Sequence, residues 1–300
     1  MRTIAIVVGL VGCSSAAPPT APKPPPAPPP PPYAVAEPLT APRLFGAGAI
    51  STELPEFSIT FAPDGATAYF DRAAADRSKF SIMSSSFVAG AWQPAQPVSF
   101  STGEFRDADP FIAGDRLYFS SNRPHGGATD FDTWYVTRQQ ASWSEPVHLD
   151  GAASGPGNEL YVSIARDGTM YFQSDATGGG DIYRAPRVDA AAQPIDAIDT
   201  PESEGNPAIS PDGTLLVFVS ERAGGAGGAD LWASRFRDGA WTPPHDLAVV
   251  NSPQADFAPS FSPDGRYLLF TSERPGVVPA PASGRPPGDI YQIDVAALGI

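Results

Sequence analysis

Short runs of apolar residues, each closed by a phenylalanine, recur along the chain from residue 62 onward. Each run follows a turn dipeptide, usually Asp-Gly, in which glycine tolerates the positive φ of a tight hairpin. No window keeps apolar residues at helical spacing without a glycine or proline. The pattern therefore predicts repeated β-hairpins. The closing phenylalanines, about 50 residues apart, are Phe70, Phe119, Phe172, Phe218 and Phe270.

The remainder of each unit repeats as well. A glycine-rich loop of variable length leads to Asp132-Thr133-Trp134 in the second copy and to Asp-Ile-Tyr or Asp-Leu-Trp in the next three. A further turn and a tryptophan follow in the first, second and fourth copies. Four short strands in a unit of about 50 residues are typical of a β-propeller blade. The sequence thus predicts an all-β propeller of four-stranded blades, with five units.

These motifs carry a family resemblance. Ser-Pro-Asp-Gly, an apolar run, Ser-x-Arg and then Asp-Ile-Tyr, as found between Ser262 and Tyr291, is similar to the repeats of TolB-type bacterial propellers, a WD-repeat-like family. The resemblance covers residues 37–300. TolB itself resembles a six-bladed propeller with an additional N-terminal domain, whereas this sequence contains five repeat units. The resemblance would imply a partner such as a peptidoglycan-associated lipoprotein.

The fifth unit ends after its third strand and lacks an outer one. The segment Tyr33 to Ala41 resembles the outer-strand segment Trp143 to Leu149, with Glu37-Pro38 matching Glu145-Pro146. Since a propeller must cover its sheet edges, we expect residues 33–41 to supply the missing strand. The predicted propeller domain is residues 33–300.

The N-terminal residues have the composition of a targeting segment. Arg2 precedes an apolar run, residues 4–11, which is shorter than the roughly 20 residues that span a bilayer but typical of a secretory signal. Leu10 to Cys13 resembles a bacterial lipobox, and Cys13 is the only cysteine. We therefore expect residues 1–12 to be removed and Cys13 to be lipidated. By resemblance to sorted lipoproteins, Ser14 implies the outer membrane, with the domain facing the periplasm or the cell surface.

Two compositional features narrow the class of partner. Residues 13–32 are rich in proline, which favours an extended polyproline II spacer between membrane and domain. The chain has 33 acidic and 19 basic residues, a net charge of −14, whereas nucleic-acid-binding proteins usually carry a basic stripe. We expect a monomer that contacts an envelope protein or glycan and no nucleic acid.

One acidic residue recurs five positions before the apolar residue of each inner strand, on the face that carries the glycine-rich loops. A ring of carboxylates there would focus a negative potential and bind a cation or a basic group of a partner. Alternatively, each carboxylate accepts backbone N–H groups or pairs with an arginine of the neighbouring blade, Arg72 among them. The predicted partner-binding residues are Glu56, Asp107, Glu159, Glu204, Asp256, Arg123, Arg222 and Arg274.

Catalytic motifs are not found in the sequence, and neither a cofactor nor a metal is predicted. The histidines His125, His148 and His245 are expected to lie in different units and in solvent.

A glycan hydrolase would need two carboxylates about 5–9 Å apart, for which Asp109 and Asp130 are the nearest candidates.

The units differ most in the loops of that same face, where we expect contact with a ligand or partner. The favoured hypothesis is a non-enzymatic, membrane-tethered binding scaffold that uses this face, and the alternative is a glycan-processing hydrolase. The four variable loops are Asn122–Phe131, Asp175–Asp181, Glu221–Asp230 and Glu273–Asp289.

The anchor can be tested directly. Cys13→Ser removes the only thiol that could accept a lipid, so we expect the variant to leave the membrane fraction and to lack the mass of the acyl groups. Membrane fractionation and intact-protein mass spectrometry measure both. A variant that fractionates and weighs like the wild type, apart from the substituted atom, would contradict lipidation.

Overall fold

The chain from Pro31 onward folds into five antiparallel sheets that form the blades of a five-bladed β-propeller. This computed structural model describes residues 30–140, 142–277 and 285–300, together with residue 5. The predicted all-β propeller is confirmed. The predicted signal peptide, Cys13 and most of the proline-rich spacer lie outside the described residues.

The strands follow the repeat of the sequence, and the first of them belongs to the last blade. That strand is β1 (Arg43–Leu44). Blade 1 contains β2 (Glu56–Phe61), β3 (Thr67–Ala73), β4 (Phe80–Val88), β5 (Ala91–Trp92) and β6 (Gln96–Pro97). Blade 2 contains β7 (Asp107–Ala113), β8 (Arg116–Ser121), β9 (Asp132–Gln139), β10 (Ser142–Trp143) and β11 (Val147–His148).

The other blades have the same order. Blade 3 contains β12 (Glu159–Ile164), β13 (Met170–Ser174), β14 (Asp181–Ala185) and β15 (Gln193–Pro194). Blade 4 contains β16 (Glu204–Ile209), β17 (Leu215–Ser220), β18 (Asp230–Arg237), β19 (Ala240–Trp241) and β20 (His245–Asp246). Blade 5 contains β21 (Asp256–Phe261), β22 (Tyr267–Ser272) and β23 (Asp289–Asp294), followed by a 3₁₀ turn at Val295–Ala297.

In each blade the first strand lines a central channel, and the next strands add outward. The tight turns between first and second strands lie on one side, which we call the turn face. The opposite side, the loop face, carries the starts of the first strands and the loops between second and third strands. Those loops are residues 74–79, 122–131, 175–180, 221–229 and, as far as the structure describes it, 273–277 and 285–288.

The Asp-Gly dipeptides form the turns of the turn face, as predicted. In blade 4, Asp212 Oδ1 accepts a hydrogen bond from the backbone N–H of Thr214 at 3.1 Å. Gly213 follows with a φ of 75°, which only glycine adopts at no steric cost. Each turn thus reverses the chain within a few residues and sets the register of the first hairpin.

The blades are held together by the second strands, whose alternate residues contact different neighbours. Phe119 on β8 packs with Tyr69 of blade 1, whereas the adjacent Tyr118 packs with Phe172 of blade 3. The five repeated phenylalanines are at most 1% exposed. Since full burial of such a side chain contributes about 1.5–3 kcal/mol, the repeated apolar runs form the core between blades.

The ring is closed by an N-terminal strand, as predicted, but residues 33–41 do not form it. The strand is β1, which pairs antiparallel with β23. The backbone N–H of Phe45 donates to the carbonyl of Ile290 at 2.8 Å, and that of Leu149 donates in the same way to Thr133 in blade 2. The matching proline is therefore Pro42, not Pro38, because the outer strand follows its proline directly.

Residues 33–39 still contribute to closure through side chains and single hydrogen bonds. The carbonyl of Tyr33 accepts from Nε2 of Gln292 at 2.7 Å, and Leu39 exchanges hydrogen bonds with Asp294. The Tyr33 ring lies 5.1 Å from that of Phe61 in blade 1 and 6.2 Å from that of Tyr267 in blade 5. This segment therefore fastens the first blade to the last.

The outer strands differ from the prediction in one detail. In blades 1, 2 and 4 the outermost strand is split into two short pieces that pair with different parts of the third strand. Blade 3, whose sequence lacks the tryptophan, keeps one piece, β15.

Among the described residues, none belongs to a helix with the length and apolar character needed to traverse a bilayer.

Closure predicts a sensitive position. Phe45 is 6% exposed and its ring lies 5.9 Å from that of Phe61 and 5.8 Å from that of Trp92, so we expect Phe45→Ala to lower the free energy of unfolding by about 3–5 kcal/mol. Urea unfolding followed by tryptophan fluorescence measures it. Val88→Ala, at a side chain 55% exposed, is the control and should change the value by less than about 0.5 kcal/mol. Equal losses in both variants would contradict this account of closure.

Candidate functional site

The five predicted carboxylates occupy the first position of each channel strand and are buried. None is more than 1% exposed, and no two share a hydrogen-bond partner. Four of them form an ion pair with an arginine near the end of the second strand. The pairs are Glu56–Arg72, Asp107–Arg123, Glu204–Arg222 and Asp256–Arg274.

These arginines belong to the same blade as their carboxylates, so the prediction of a partner in the neighbouring blade is wrong. Arg274, for example, follows β22 by two residues and turns back over β21, which places Nη2 2.8 Å from Oδ1 of Asp256. Its guanidinium also donates to the carbonyl of Val250, in the segment that arrives from blade 4. The ion pair therefore fixes the connection between two blades.

Blade 3 departs from this arrangement because Ala176 stands where the arginine would be. Glu159 instead accepts hydrogen bonds from Ser174 Oγ at 2.7 Å and from the backbone N–H of Gly155 at 2.6 Å. Burial raises the pKa of Glu159, against the lowering effect of these two donors. Binding of a partner by the eight predicted residues stays a prediction, and their burial and internal pairing favour the structural alternative that the sequence left open.

The channel strands share a second feature, a β-bulge at their third residue. Pairing of the first and second strands shifts register there in all five blades. Bulges re-aim side chains and are common next to functional sites. The bulge residues have φ between 48° and 58° and differ in chemistry from blade to blade. They are Ser58, Asp109, Tyr161, Asn206 and Ala258.

Two unrepeated carboxyl groups meet at this level. The backbone N–H of Asp109 donates to Oδ2 of Asp71 at 2.7 Å, and Ser58 Oγ donates to Oδ1 of Asp109 at 3.0 Å. Burial raises the pKa of Asp109 to about 7, which the hydrogen bond from Ser58 only partly offsets. The pKa of Asp71 lies well above its usual value, first because of burial and then because of the Asp109 charge. Ionising both groups together is therefore costly.

A pocket of about 330 Å³ opens above this pair on the loop face, lined in part by Asp109. Aromatic side chains from blades 1, 2, 3 and 5 form much of its wall. The rings of Phe57 and Phe80 pack edge to face, with centroids 5.5 Å apart. The aromatic residues of the wall are Phe57, Phe80, Phe131, Tyr161 and Phe257.

Three arginines line the same pocket: Arg77, Arg106 and Arg285. Arg77 Nη2 lies 3.1 Å from Oε1 of Glu273, and Arg285 pairs with that same carboxylate. Burial, and then the charge of Arg285, lower the pKa of Arg77, which Glu273 opposes. Arg106 stacks on Phe80, with 4.3 Å between guanidinium carbon and ring centroid, and has no carboxylate within ion-pair distance among the described residues.

The pocket thus combines apolar walls with more arginine than acidic charge at its surface. The sequence analysis expected partner contact on this face but did not predict the pocket. Arg77, Phe131 and Arg285 come from loops of unequal length, and most other lining residues occupy the second and third positions of channel strands, where residue types do not repeat. Below the bulges the channel narrows to a cavity of about 30 Å³. A wider opening of about 450 Å³ lies on the turn face.

Two of the three histidines are not where the sequence placed them. His125 and His148 both belong to blade 2, and their ring centroids lie 3.5 Å apart. His148 lies on β11 beside Trp134 of β9, whereas His125 is in the loop before β9. Both are half-buried rather than in open solvent. His245 is exposed, as expected.

Comparison with known proteins gives a likeness at the level of the fold. No protein-family model and no curated protein matches the chain. Among solved structures, the putative TolB from Agrobacterium tumefaciens has a TM-score of 0.53 and 16% identity, covering 82% of this chain and 79% of that one. TolB from Acinetobacter baumannii has a TM-score of 0.51 and 15% identity over 74% of this chain. The shared feature is the propeller.

The chain is also similar in fold to propellers other than TolB. This chain spans about half the length of the Acinetobacter TolB chain, 49% of it. GH43B from a Bacteroides ovatus xyloglucan PUL has a TM-score of 0.50 and 15% identity, covering 84% of this chain and 54% of that one. Identities this low show a common fold, so the residues of the site must carry any argument about function.

The Asp109 carboxyl predicts a pH dependence. It holds its proton more tightly in the folded chain than in the unfolded one, so its effect on stability is most favourable below about pH 4 and is lost as the pH rises to about 7. A pKa raised from 3.8 to about 7 corresponds to a loss of roughly 4 kcal/mol. Asp109→Asn, which also accepts a positive φ, should make the decline smaller by about this amount, and burial of Asp71 should keep the remainder.

Urea unfolding at a series of pH values from 4 to 8 measures the effect. Asp115→Asn, which removes an exposed carboxylate from the nearby turn of blade 2, is the control and should follow the wild-type curve. A decline that is equally steep in Asp109→Asn and in the wild type would show that this carboxyl does not carry it.

Proposed function

We propose that the protein is a membrane-tethered binding scaffold of the bacterial cell envelope, and that its loop-face pocket holds an anionic group of a protein or glycan partner. The observation that carries this proposal is the wall of aromatic rings and arginines at the channel mouth. Its residues differ from blade to blade, whereas the repeated residues hold the blades together. Positions that a repeat does not need are the ones available for a partner.

The chemistry of the pocket favours an anionic group beside an apolar or sugar surface. Guanidinium groups bind carboxylate, sulfate or phosphate oxygens in a bidentate manner, and aromatic rings offer flat apolar contact. Arg106 is exposed and its guanidinium is oriented by Phe80. The protein as a whole has a net charge of −14, so the arginines act by contact within the pocket rather than by long-range attraction.

The tether is supported by the sequence alone. The lipobox-like segment ending at Cys13 and the proline-rich residues that follow would hold the propeller away from a membrane. The resemblance of the repeats to TolB-type propellers supports the cell envelope as the place where this happens. A domain held at a distance by a stiff spacer would have its loop face free to meet a partner.

A hydrolase is the second candidate, favoured by Asp71 and Asp109 and by the likeness to GH43B. Glycoside hydrolysis requires two carboxyl groups that flank the scissile bond. Asp109 lines the pocket, but Asp71 is 0% exposed and lies behind the Asp109 backbone. A substrate in the pocket could reach one of the two carboxyls. Asp130 belongs to the loop of blade 2 and does not line the pocket. The arrangement therefore favours binding.

Arginine substitutions test the proposed binding site. Immobilised full-length protein in detergent should capture a partner from envelope extract, and Arg106→Gln should weaken capture about tenfold or more, because a charge-assisted hydrogen bond contributes about 1.5–3 kcal/mol. The control is Arg116→Gln, which removes an arginine held 4.4 Å from the Tyr135 ring in β9, near the turn face. Capture should fall as salt is raised.

The outcomes separate the candidates. Protease treatment of the extract should abolish capture of a protein and leave capture of a glycan unchanged. Equal capture by the wild type and Arg106→Gln would contradict the pocket as the binding site. Release of reducing sugar from an envelope glycan by the wild type, lost in Asp109→Asn, would instead establish the hydrolase.

A further inference from the structure

Blade 2 carries a cluster of nitrogen and oxygen donors that is separate from the loop-face pocket. Ligand atoms of His125, His148 and Asp150 all lie within 4.8 Å of one another. Nδ1 of His148 is 3.0 Å from Oδ1 of Asp150, and its Nε2 is 3.3 Å from Oδ2 of Asp132. Neither the ion pairs nor the proposed function explains why two imidazoles should be brought together here.

The backbone holds both histidines in place. His125 forms a two-residue hairpin with Ala128, with backbone hydrogen bonds of 2.9 and 3.3 Å in the two directions. Gly126 and Gly127 between them have φ of 59° and 94°, the conformation of a type I′ turn. His148 is fixed by the pairing of β11 with β9, opposite Trp134. The cluster therefore lies on a hairpin and a sheet edge rather than on a long loose loop.

Several polar atoms at this place are buried without a hydrogen-bond partner. Nδ1 of His125, Oδ1 of Asp130 and Nε1 of Trp134 are all in this condition. Leaving buried polar groups unsatisfied is destabilising, and such groups call for an explanation such as a bound ion. For His125, a ligand to the ring nitrogen would supply it.

The cluster is specific to blade 2. His148 lies opposite the third residue of the third strand, Trp134. The other blades have different residues at this position, so the blade fold does not require a histidine there. The residues at the corresponding register are Leu44, Pro97, Pro194 and Asp246.

We propose that His125, His148 and Asp150 bind a divalent transition metal ion. Two imidazoles and a carboxylate are the donors that zinc and its neighbours prefer, whereas magnesium and calcium prefer oxygen alone. Donors on a tetrahedral zinc ion lie roughly 3.4 Å apart, so the three atoms need a small closing movement. The Asp150 side chain is 90% exposed and free to make it.

The surroundings match such a site in two further respects. Metal-bound histidines usually donate their second ring N–H to a carboxylate. Oδ2 of Asp132 is 3.3 Å from Nε2 of His148, close enough for such a bond although the two atoms do not form one here, while Asp150 faces Nδ1. Three protein ligands leave a fourth position open for water or for a group on a partner. The exposed side of the cluster, at Asp150, gives an ion a path from solution.

Zinc titration tests the proposal. Isothermal titration of ZnCl₂ into purified full-length wild-type protein should show one site per chain. Affinity should fall at least tenfold in His125→Ala and in His148→Ala. His245→Ala, which removes the exposed histidine of blade 4, is the matched control and should bind as the wild type does. All four proteins keep Cys13, so any contribution of that residue is the same in each.

A second measurement guards against misfolded variants. Without metal, His125→Ala should unfold at a temperature no lower than the wild type, since the imidazole that it removes has a buried nitrogen without a hydrogen-bond partner. Zinc should raise the melting temperature of the wild type and of His245→Ala, but not that of His125→Ala. The proposal is overturned if the wild type binds no zinc at stoichiometric amounts. It is also overturned if His245→Ala loses as much affinity as the two site variants, or if magnesium displaces zinc at equal concentration.

Discussion

The ring of blades depends on one packing constraint, the requirement that each second strand satisfy two neighbours at once. Its alternate residues face opposite sides of the sheet, so the apolar residues of β8 fill the spaces on both sides of blade 2. A blade removed from the ring would expose both surfaces to water. This constraint explains why the sequences of the repeats are so similar. Only the loops, the bulges and the outer strands are free to vary.

The repeated part of the molecule was predictable because its physics is local. Glycine after aspartate specifies the hairpin, and an apolar run ending in Phe218 or Phe270 specifies a buried strand. The sequence placed the closing strand a few residues too early. Both Pro38 and Pro42 match the proline that precedes an outer strand, and only the register with β23 distinguishes them. The sequence placed the carboxylates at the inner strands and named their arginine partners, but it assigned those arginines to the neighbouring blade, because it does not show how the chain turns back after the second strand.

The candidate sites were hidden from sequence analysis for a different reason. Arg77, Arg106 and Arg285 are far apart in the chain and meet only when the ring closes. His125 and His148 are separated by the whole of β9, a spacing that has no meaning until β11 pairs with that strand. One signal was present in the sequence: the bulge position varies among Asp109, Tyr161 and Asn206, while the residue two positions before it is acidic in every unit.

The closing segment has a mechanical consequence. The chain enters the ring through Tyr33 and Leu39, whose hydrogen bonds to Gln292 and Asp294 precede the strand β1. A force pulling on the chain ahead of Pro31 would therefore be borne first by these few contacts and then by two residue pairs of β1. The load would pass to β23 of blade 5 through these contacts, and the inner strands would separate only after the seam had opened, so the seam sets how much tension the ring can withstand.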